Sequence, residues 1–212
     1  NGVNGIVNKR FINLNKISSN DLNLISQTPG AALGSTRDKP DEKYCLEILK
    51  LLKEKKIERF YYIGGNDSSD SLRIISNFSK KIGYNLQCVH IPKTIDNDLV
   101  NNDHTPGFGS AAKYVAQLFS GINYDVKSLP GVYLGILMGR HAGFLTASSG
   151  LLRETKYDGP NLLFIPEHPF DLDNFLKRIN IKFKKYGRCV IAISEGIQDK
   201  GKKLISQSII RN

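Results

Sequence analysis

The feature that most constrains this chain is a regular alternation of short apolar runs with longer stretches of helical periodicity. The apolar runs have the length of β-strands and are Ile57–Ile63, Leu86–Ile91, Gly131–Leu137, Leu162–Ile165 and Cys189–Ile193. The stretches with helical periodicity are Asp41–Lys56, Ser69–Ile82, Ser110–Ile122, Gly143–Leu152 and Leu172–Lys185. Strands joined by helices of this length pair in parallel, because each helix carries the chain back across the sheet. The sequence therefore predicts an α/β fold of parallel sheets with helices on both faces.

The polar stretch Asn123–Pro130 interrupts this alternation and is the predicted domain boundary, giving domains of residues 1–125 and 126–212. A chain of 212 residues has room for one large domain or two modest ones. The first residue is Asn1 rather than Met, and no closing element is evident from Ile209 onwards. We therefore expect the sequence to be incomplete at both ends.

The net charge of the chain bears on its partners. Thirty Lys and Arg residues against twenty Asp and Glu residues give a formal charge of +10, which suits nucleic acid, an anionic surface or small phosphorylated ligands. Many of the lysines lie on predicted helix faces, and no aromatic residues that could stack on bases are interleaved with them. We interpret these lysines as solvent-exposed charges and expect no nucleic-acid partner.

The apolar runs and the cysteines indicate a cellular compartment. No apolar run approaches the roughly 18 residues that a membrane helix needs, and no basic segment with an apolar core marks a signal peptide. The three cysteines, Cys45, Cys88 and Cys189, are far apart and lack metal-binding spacing, which is typical of reduced thiols. We therefore expect a cytoplasmic protein without a membrane partner.

Polar or charged residues follow every predicted strand. The segments that follow the five strands in turn are Gly64–Ser68, Pro92–Asp98, Met138–Gly143, Pro166–His168 and Ser194–Gly196. In open α/β sheets, ligands bind at the carboxyl ends of the strands. Five such segments in one chain predict an active site.

Two of these segments carry side chains suited to phosphoryl chemistry. In Gly64–Ser68, paired glycines let the backbone approach a ligand, a helix N-terminus suits phosphate, and Asp67 suits a divalent metal. In Pro92–Asp98, a lysine, a hydroxyl and two carboxylates provide a cation for phosphate charge, a candidate base and oxygens for a metal. Both segments also fit polar turns, so the residues alone leave a structural role open.

Other signals are interpreted as structural. The segment Gly107–Ala112 fits the dinucleotide pattern G-x-G-x-x-A, but a polar loop rather than a strand precedes it, so its glycines are interpreted as helix-start residues. No G-x-x-x-x-G-K-[ST] sequence is present. His141 lies in a polar loop without a nearby carboxylate or cysteine partner, so we interpret it as a loop residue rather than a metal ligand.

Taken in order, the loops resemble the phosphofructokinase family over nearly the whole chain. The most specific segments are PKTIDND at Pro92–Asp98, MGRHAGF at Met138–Phe144 and SEGI at Ser194–Ile197. They are joined by GGNDS at Gly64–Ser68, TPGFGSAAKY at Thr105–Tyr114 and LGSTR at Leu33–Arg37. The resemblance implies two Rossmann-like parallel-sheet layers, a phosphotransferase acting on fructose 6-phosphate with Mg²⁺, and a homo-oligomer, dimer or tetramer. It also implies that a glycine-rich donor loop and a C-terminal sugar-phosphate grip lie outside this sequence.

The resemblance also implies roles for single residues. Asp96 would be the base that takes the proton from the sugar 1-hydroxyl, and Arg140 would face the transferred phosphoryl group. Glu195 would accept hydrogen bonds from the sugar hydroxyls. The residues that would contact the sugar phosphate are Thr94, Ile95, Asp96, Met138, Gly139, Arg140 and Glu195. Those that would bind the phosphoryl donor are Arg37, Gly65, Asn66 and Ser68, while Asn66 and Asp98 would hold Mg²⁺. Relatives often have Asp where this chain has Asn66, which leaves the metal ligand set open.

Two further residues, both counted with the catalytic set, indicate the donor. Relatives that use ATP usually have Gly in place of Asp67, whose carboxylate would occupy the space and mimic the charge of the nucleotide α-phosphate. ATP-using bacterial relatives commonly also have Gly in place of Lys93, whose ammonium group can stabilise the charge of pyrophosphate. Asp67 with Lys93 therefore resembles the pyrophosphate-dependent branch.

Other functions stay open at this point. An ATP-dependent phosphofructokinase is the alternative if Asp67 tolerates a nucleotide. A non-catalytic, phosphosugar-binding regulatory subunit is the alternative from another class, although it would have no chemical need for Asp96 and Arg140. A general anion- or nucleic-acid-binding protein ranks third.

Overall fold

The computed structural model describes residues 2–208 and divides into two compact units after Pro92. In the first unit the elements are α1 (Gly2–Val7), a 3₁₀ turn (Leu14–Lys16), α2 (Ser19–Gln27), α3 (Glu42–Glu54), β1 (Arg59–Gly64), α4 (Asn66–Lys81) and β2 (Gln87–Pro92). In the second unit they are α5 (Phe108–Ser128), β3 (Gly131–Leu137), α6 (Phe144–Ser148), β4 (Leu162–Phe164), α7 (Leu172–Tyr186), β5 (Arg188–Ser194) and α8 (Ile205–Ser208).

The core of the first unit lies between the helices and a two-stranded parallel sheet. β1 pairs with β2 in the register Arg59↔Gln87 to Gly64↔Pro92. The i, i+3, i+4, i+7 face of α3 is fully buried, as its spacing predicts, and Ile75 of α4 packs against it. Asp41 begins α3, since its carboxylate accepts a hydrogen bond from the Tyr44 N–H at 2.8 Å.

The second unit is built on a three-stranded parallel sheet in the order β3-β5-β4. The central strand β5 is buried from Cys189 to Ser194, which explains its unbroken apolar sequence. Val190 and Ala192 pack with residues of α5, whereas Cys189 and Ile191 pack with Phe175 and Ile179 of α7. Because neighbouring residues of a strand point to opposite faces, this sheet has helices on both faces. The predicted α/β fold with parallel sheets is confirmed.

The predicted loop at Asn123–Pro130 is wrong, because α5 continues to Ser128. Long-range contacts hold its last turns. The Asn123 side chain donates to Asp158 Oδ1 at 3.0 Å, and Lys127 Nζ lies 2.9 Å from the same oxygen. The predicted boundary between residues 125 and 126 thus falls inside a helix, and the compact units divide after Pro92 instead. The assignment of residues 1–125 and 126–212 to separate functional domains stays a prediction.

The predicted helix Gly143–Leu152 is much shorter, since α6 ends at Ser148. The hydroxyls of Ser148 and Ser149 donate to the carbonyls of Leu145 and Thr146, three residues back. Serine hydroxyls that bond to their own helix in this way compete with its regular hydrogen bonds. The first two α-helices were not predicted, and α2 has no buried residue.

Two findings concern the expected compartment and partners. None of the helices within residues 2–208 combines the length and apolar character of a membrane span. Cys45 and Cys189 are buried, Cys88 is half-buried, and all three are free thiols.

Candidate active site

The second unit gathers charged residues from three separate loops around Asp96. Asp96 and Asp98 lie in the loop before α5, Arg140 and His141 follow β3, and Glu195 follows β5. The Asp96 carboxyl is half-buried, and this burial, with the negative charges of Asp98 and Glu195, raises its pKa. The nearby charges of Arg140 and His141 act in the opposite direction. Residues that are 44 and 99 positions from Asp96 in sequence are therefore its electrostatic neighbours.

This grouping suits a general base beside a cation. A half-buried carboxylate with a raised pKa holds a proton more strongly than a solvated one, while Arg140 offers charge to an anionic reactant. The expectation that His141 has no carboxylate near it is wrong, because its charge acts on Asp96. His141 and Asp96 are far apart in the sequence, so the sequence alone did not show that they are near each other.

Hydrogen bonds connect the carboxyl ends of β3 and β5 and the loops that follow them. The Glu195 N–H donates to the Leu137 carbonyl at 2.9 Å, and the Gly139 N–H donates to Glu195 Oε1 at 3.4 Å. The Ser194 hydroxyl donates to the Gly139 carbonyl and accepts from the Gly196 N–H at 3.2 Å. Glu195 and the Gly139–Arg140 segment are thus held in one arrangement.

Two glycines allow the backbones of these loops to meet. At Gly139, where φ is +131°, a Cβ would lie 2.4 Å from the Ala142 carbonyl oxygen. At Gly196 a Cβ would lie 2.2 Å from the Arg140 carbonyl oxygen. Neither contact can relax by rotating a side chain, because the opposing atoms belong to the backbone.

We expect Gly196→Ala to destabilise the protein by about 1–3 kcal/mol or more, because the methyl group forces the Arg140 backbone away. Thermal or denaturant unfolding of the complete protein measures this. Gly121→Ala is the matched control, since Gly121 lies in α5 with no atom within 4 Å of the added Cβ. A helical Gly→Ala change of this kind stabilises by about 0.5–1 kcal/mol. Equal stability of the two variants would contradict the close packing at Gly196.

Glu167 supports the loop after β3 and was not assigned a role from the sequence. Its Oε1 accepts a hydrogen bond from the Gly143 N–H at 2.8 Å. A Cβ at Gly143 would lie 2.5 Å from the Ile165 side chain. The only signal in the sequence was a polar residue after a predicted strand, which does not identify its partner.

The first unit carries a second group at the start of α4. Gly65 is the N-cap of this helix, and Asn66 and Asp67 lie in its first turn. Lys39 Nζ lies 3.1 Å from Asp67 Oδ1, with 72% and 68% of the two side chains exposed. Such an exposed pair adds little stability, but it brings a cation to the helix start. Backbone N–H groups at a helix start suit phosphate.

The other predicted site residues are divided between the two units. Arg37 is exposed in the first unit, and Ser68 lies against Gly64, where a Cβ would come within 2.0 Å of the Ser68 hydroxyl. In the second unit, Lys93 and Met138 are exposed, whereas Thr94 and Ile95 are half-buried. The side chains of Arg37, Lys93 and Met138 are thus accessible to solvent.

Residues 2–208 contain no group of three His, Cys, Asp or Glu side chains arranged to hold a metal ion. Mg²⁺ commonly uses one or two carboxylates and takes its other ligands from water and substrate phosphates. Asn66 in the first unit and Asp98 in the second each carry an oxygen donor of the type that Mg²⁺ prefers.

Comparison with known proteins adds to this geometry. The profile of the family described as Phosphofructokinase matches residues 1–212. Over 198 residues the chain is 56% identical to the pyrophosphate–fructose 6-phosphate 1-phosphotransferase of Rhodospirillum rubrum, covering 93% of this chain and 49% of that protein. It is 34% identical over 200 residues to the sulfofructose kinase of Alkalicoccus urumqiensis, covering 93% of this chain and 52% of that protein.

A solved structure agrees with these sequence matches. The pyrophosphate-dependent phosphofructokinase from Marinobacter aquaeolei superposes with a TM-score of 0.82 at 35% identity, covering 94% of this chain and 51% of that one. The chain spans about half the length of the curated relatives it matches.

Proposed function

Because the chain belongs to the phosphofructokinase family, we propose that the protein containing it transfers a phosphoryl group from pyrophosphate to the 1-hydroxyl of fructose 6-phosphate. The products are fructose 1,6-bisphosphate and phosphate, and the reaction is reversible. The observation that carries this proposal is the grouping of Asp96, Asp98, Arg140 and Glu195 in the second unit. The names of the similar proteins support the choice of substrates.

In the proposed reaction, Asp96 accepts the proton of the sugar 1-hydroxyl as its oxygen bonds to the terminal phosphorus of pyrophosphate. The bond from that phosphorus to the bridging oxygen breaks, and phosphate leaves with the bond's electron pair. Arg140 stabilises the negative charge on the transferred group. Phosphoryl transfer gains most of its rate from such positioning and charge stabilisation.

The sugar phosphate is proposed to bind at the carboxyl ends of β3 and β5, which hydrogen bonds connect to each other. The absence of a side chain at Gly139 lets its backbone approach the Ala142 carbonyl, which sets the path of this loop. Glu195 accepts hydrogen bonds from sugar hydroxyls, and Arg140 holds the sugar phosphate while facing the phosphoryl group that is transferred. Thr94, Ile95 and Met138 complete the proposed set of sugar-phosphate contacts.

The donor is proposed to bind at residues that include the start of α4. Gly65, Asn66, Ser68 and Arg37 would contact pyrophosphate, with Lys93 adding positive charge. The carboxylate of Asp67 would oppose a nucleotide α-phosphate, and Lys39 Nζ lies 3.1 Å from that carboxylate. Asn66 of the first unit and Asp98 of the second are each proposed as an oxygen donor to Mg²⁺, which would supply charge neutralisation to the phosphates.

The same proposal extends to the setting of the protein. We propose a cytoplasmic homo-oligomer, dimer or tetramer, that binds small phosphorylated molecules rather than nucleic acid or membrane. The net charge of +10 suits anionic substrates.

The test is the identity of the products. The complete protein is incubated with fructose 6-phosphate, pyrophosphate and MgCl₂, and the reaction is followed by ³¹P NMR. We expect pyrophosphate to disappear as fructose 1,6-bisphosphate and phosphate appear in equal amounts. Parallel reactions contain sulfofructose, the acceptor in the name of one relative. Binding of fructose 6-phosphate without any turnover would instead support a regulatory subunit, and preferred turnover of sulfofructose would replace the proposed acceptor.

A further inference from the structure

A buried hydrogen-bond network closes the loop that carries Asp96. Thr105 is fully buried, and its hydroxyl lies 2.6 Å from the Thr94 carbonyl oxygen and 3.1 Å from Asn97 Oδ1. Its backbone N–H donates to the same Asn97 oxygen at 2.9 Å. Asn97 Nδ2 in turn donates to the Asp103 carbonyl at 3.2 Å. We call Asn97 and Thr105 the loop latch.

The latch acts next to the catalytic carboxylate. Asn97 directly follows Asp96 and has a φ of +55°, a left-handed conformation that non-glycine residues seldom adopt and that costs on the order of 1 kcal/mol. Asn tolerates this conformation better than most residues. The bonds from Asn97 to Thr105 and Asp103 hold the strained turn in place, and the turn sets the direction in which the backbone presents Asp96.

The latch residues have little opportunity to contact a ligand. Thr105 has no exposed surface, and Asn97 is 6% exposed. Asp96, by contrast, is half-buried, and its N–H donates to the Thr94 hydroxyl at 3.2 Å. Thr94 is therefore bonded to the Asp96 backbone through its side chain and to Thr105 through its carbonyl, which links the latch to the backbone of Asp96.

We propose that Asn97 and Thr105 are positioning residues that fix the Asp96 carboxylate for proton transfer. This inference rests on the proposed function, since it concerns the same base. A displacement of about 1 Å at a catalytic group can lower the rate on the order of 10²-fold. The latch therefore affects kcat rather than the binding of either substrate.

The test compares Thr105→Val with Thr105→Ser in the complete protein. Valine keeps the side-chain shape but removes the hydroxyl, and serine keeps the hydroxyl but removes the methyl group. We expect Val to lower kcat about 10- to 100-fold with KM for both substrates within about twofold. We expect Ser to retain most of the wild-type kcat.

The separation of kcat from KM distinguishes positioning from stability alone. A purely structural threonine would lower the unfolding temperature and leave the kcat of the folded enzyme unchanged.

Thr146→Val is the matched control, because Thr146 is also fully buried in the second unit and its hydroxyl has no hydrogen-bond partner among the described residues. We expect it to keep wild-type kcat. If Thr105→Val does not fold, Asn97→Gly takes its place, since Gly accepts the positive φ but lacks the amide. The proposal is overturned if the folded variant keeps wild-type kcat, or if Thr105→Ser or Thr146→Val loses as much rate. Absence of wild-type turnover would overturn the proposed function instead.

Discussion

Asp96→Asn should lower kcat by about 10²–10⁴-fold while the dissociation constant for fructose 6-phosphate changes little. The amide has nearly the shape of the carboxylate but cannot accept the hydroxyl proton, and loss of a general base has an effect of this size. Steady-state kinetics give kcat, and calorimetric titration with fructose 6-phosphate gives the dissociation constant. A variant with wild-type kcat would show that Asp96 is a turn residue.

The stability of the same variant distinguishes a lost base from a damaged fold. The pKa of Asp96 is raised in the folded protein, so the folded state favours the protonated carboxyl more than the unfolded state does. That contribution is fully present below the unfolded value, near 3.8, and is lost as pH rises through the higher folded pKa. At neutral pH the ionised carboxylate therefore destabilises the fold, and we expect Asp96→Asn to unfold at the same or a higher temperature than wild type.

Arg140→Met should lower kcat by on the order of 10²–10³-fold, because it removes a cation that stabilises transition-state charge. The positive charge of Arg140 also lowers the pKa of Asp96. Without this charge the pKa of Asp96 rises further, so the acidic limb of the pH profile of kcat should move to higher pH.

Arg153→Met is the matched control, since it removes an exposed arginine from another loop of the same unit. We expect its kcat and pH profile to match those of wild type. If Arg140→Met kept its acidic limb at the wild-type pH, the assigned proximity of Arg140 to Asp96 would be incorrect.

Much of the fold could be predicted because its strands are strongly patterned. β5 reads as an unbroken apolar run since both of its faces are covered by helices. The end of α5 could not be predicted in the same way. It depends on Asn123 bonding to Asp158, 35 residues away, and local periodicity contains no information about that partner.

The roles of the candidate site residues stay predictions. Asp96, Arg140 and Glu195 could be selected from the sequence because they lie in polar segments that follow apolar strands. Thr105 could not be identified in this way, since it lies in the polar loop before the glycines that were interpreted as helix-start residues. Its importance comes from bonds to Thr94 and Asn97 that only the folded loop brings within reach.

The identity of the phosphoryl donor is tested most directly by the ratio of kcat/KM for pyrophosphate to kcat/KM for ATP. This ratio is measured in the complete protein with fructose 6-phosphate and Mg²⁺. We expect a ratio far above one, on the order of 10² or more, because Asp67 opposes a nucleotide α-phosphate with both volume and charge. The double variant Asp67→Gly with Lys93→Gly should lower the ratio by weakening the use of pyrophosphate. A wild-type ratio of one or less would contradict the assignment of pyrophosphate as the donor.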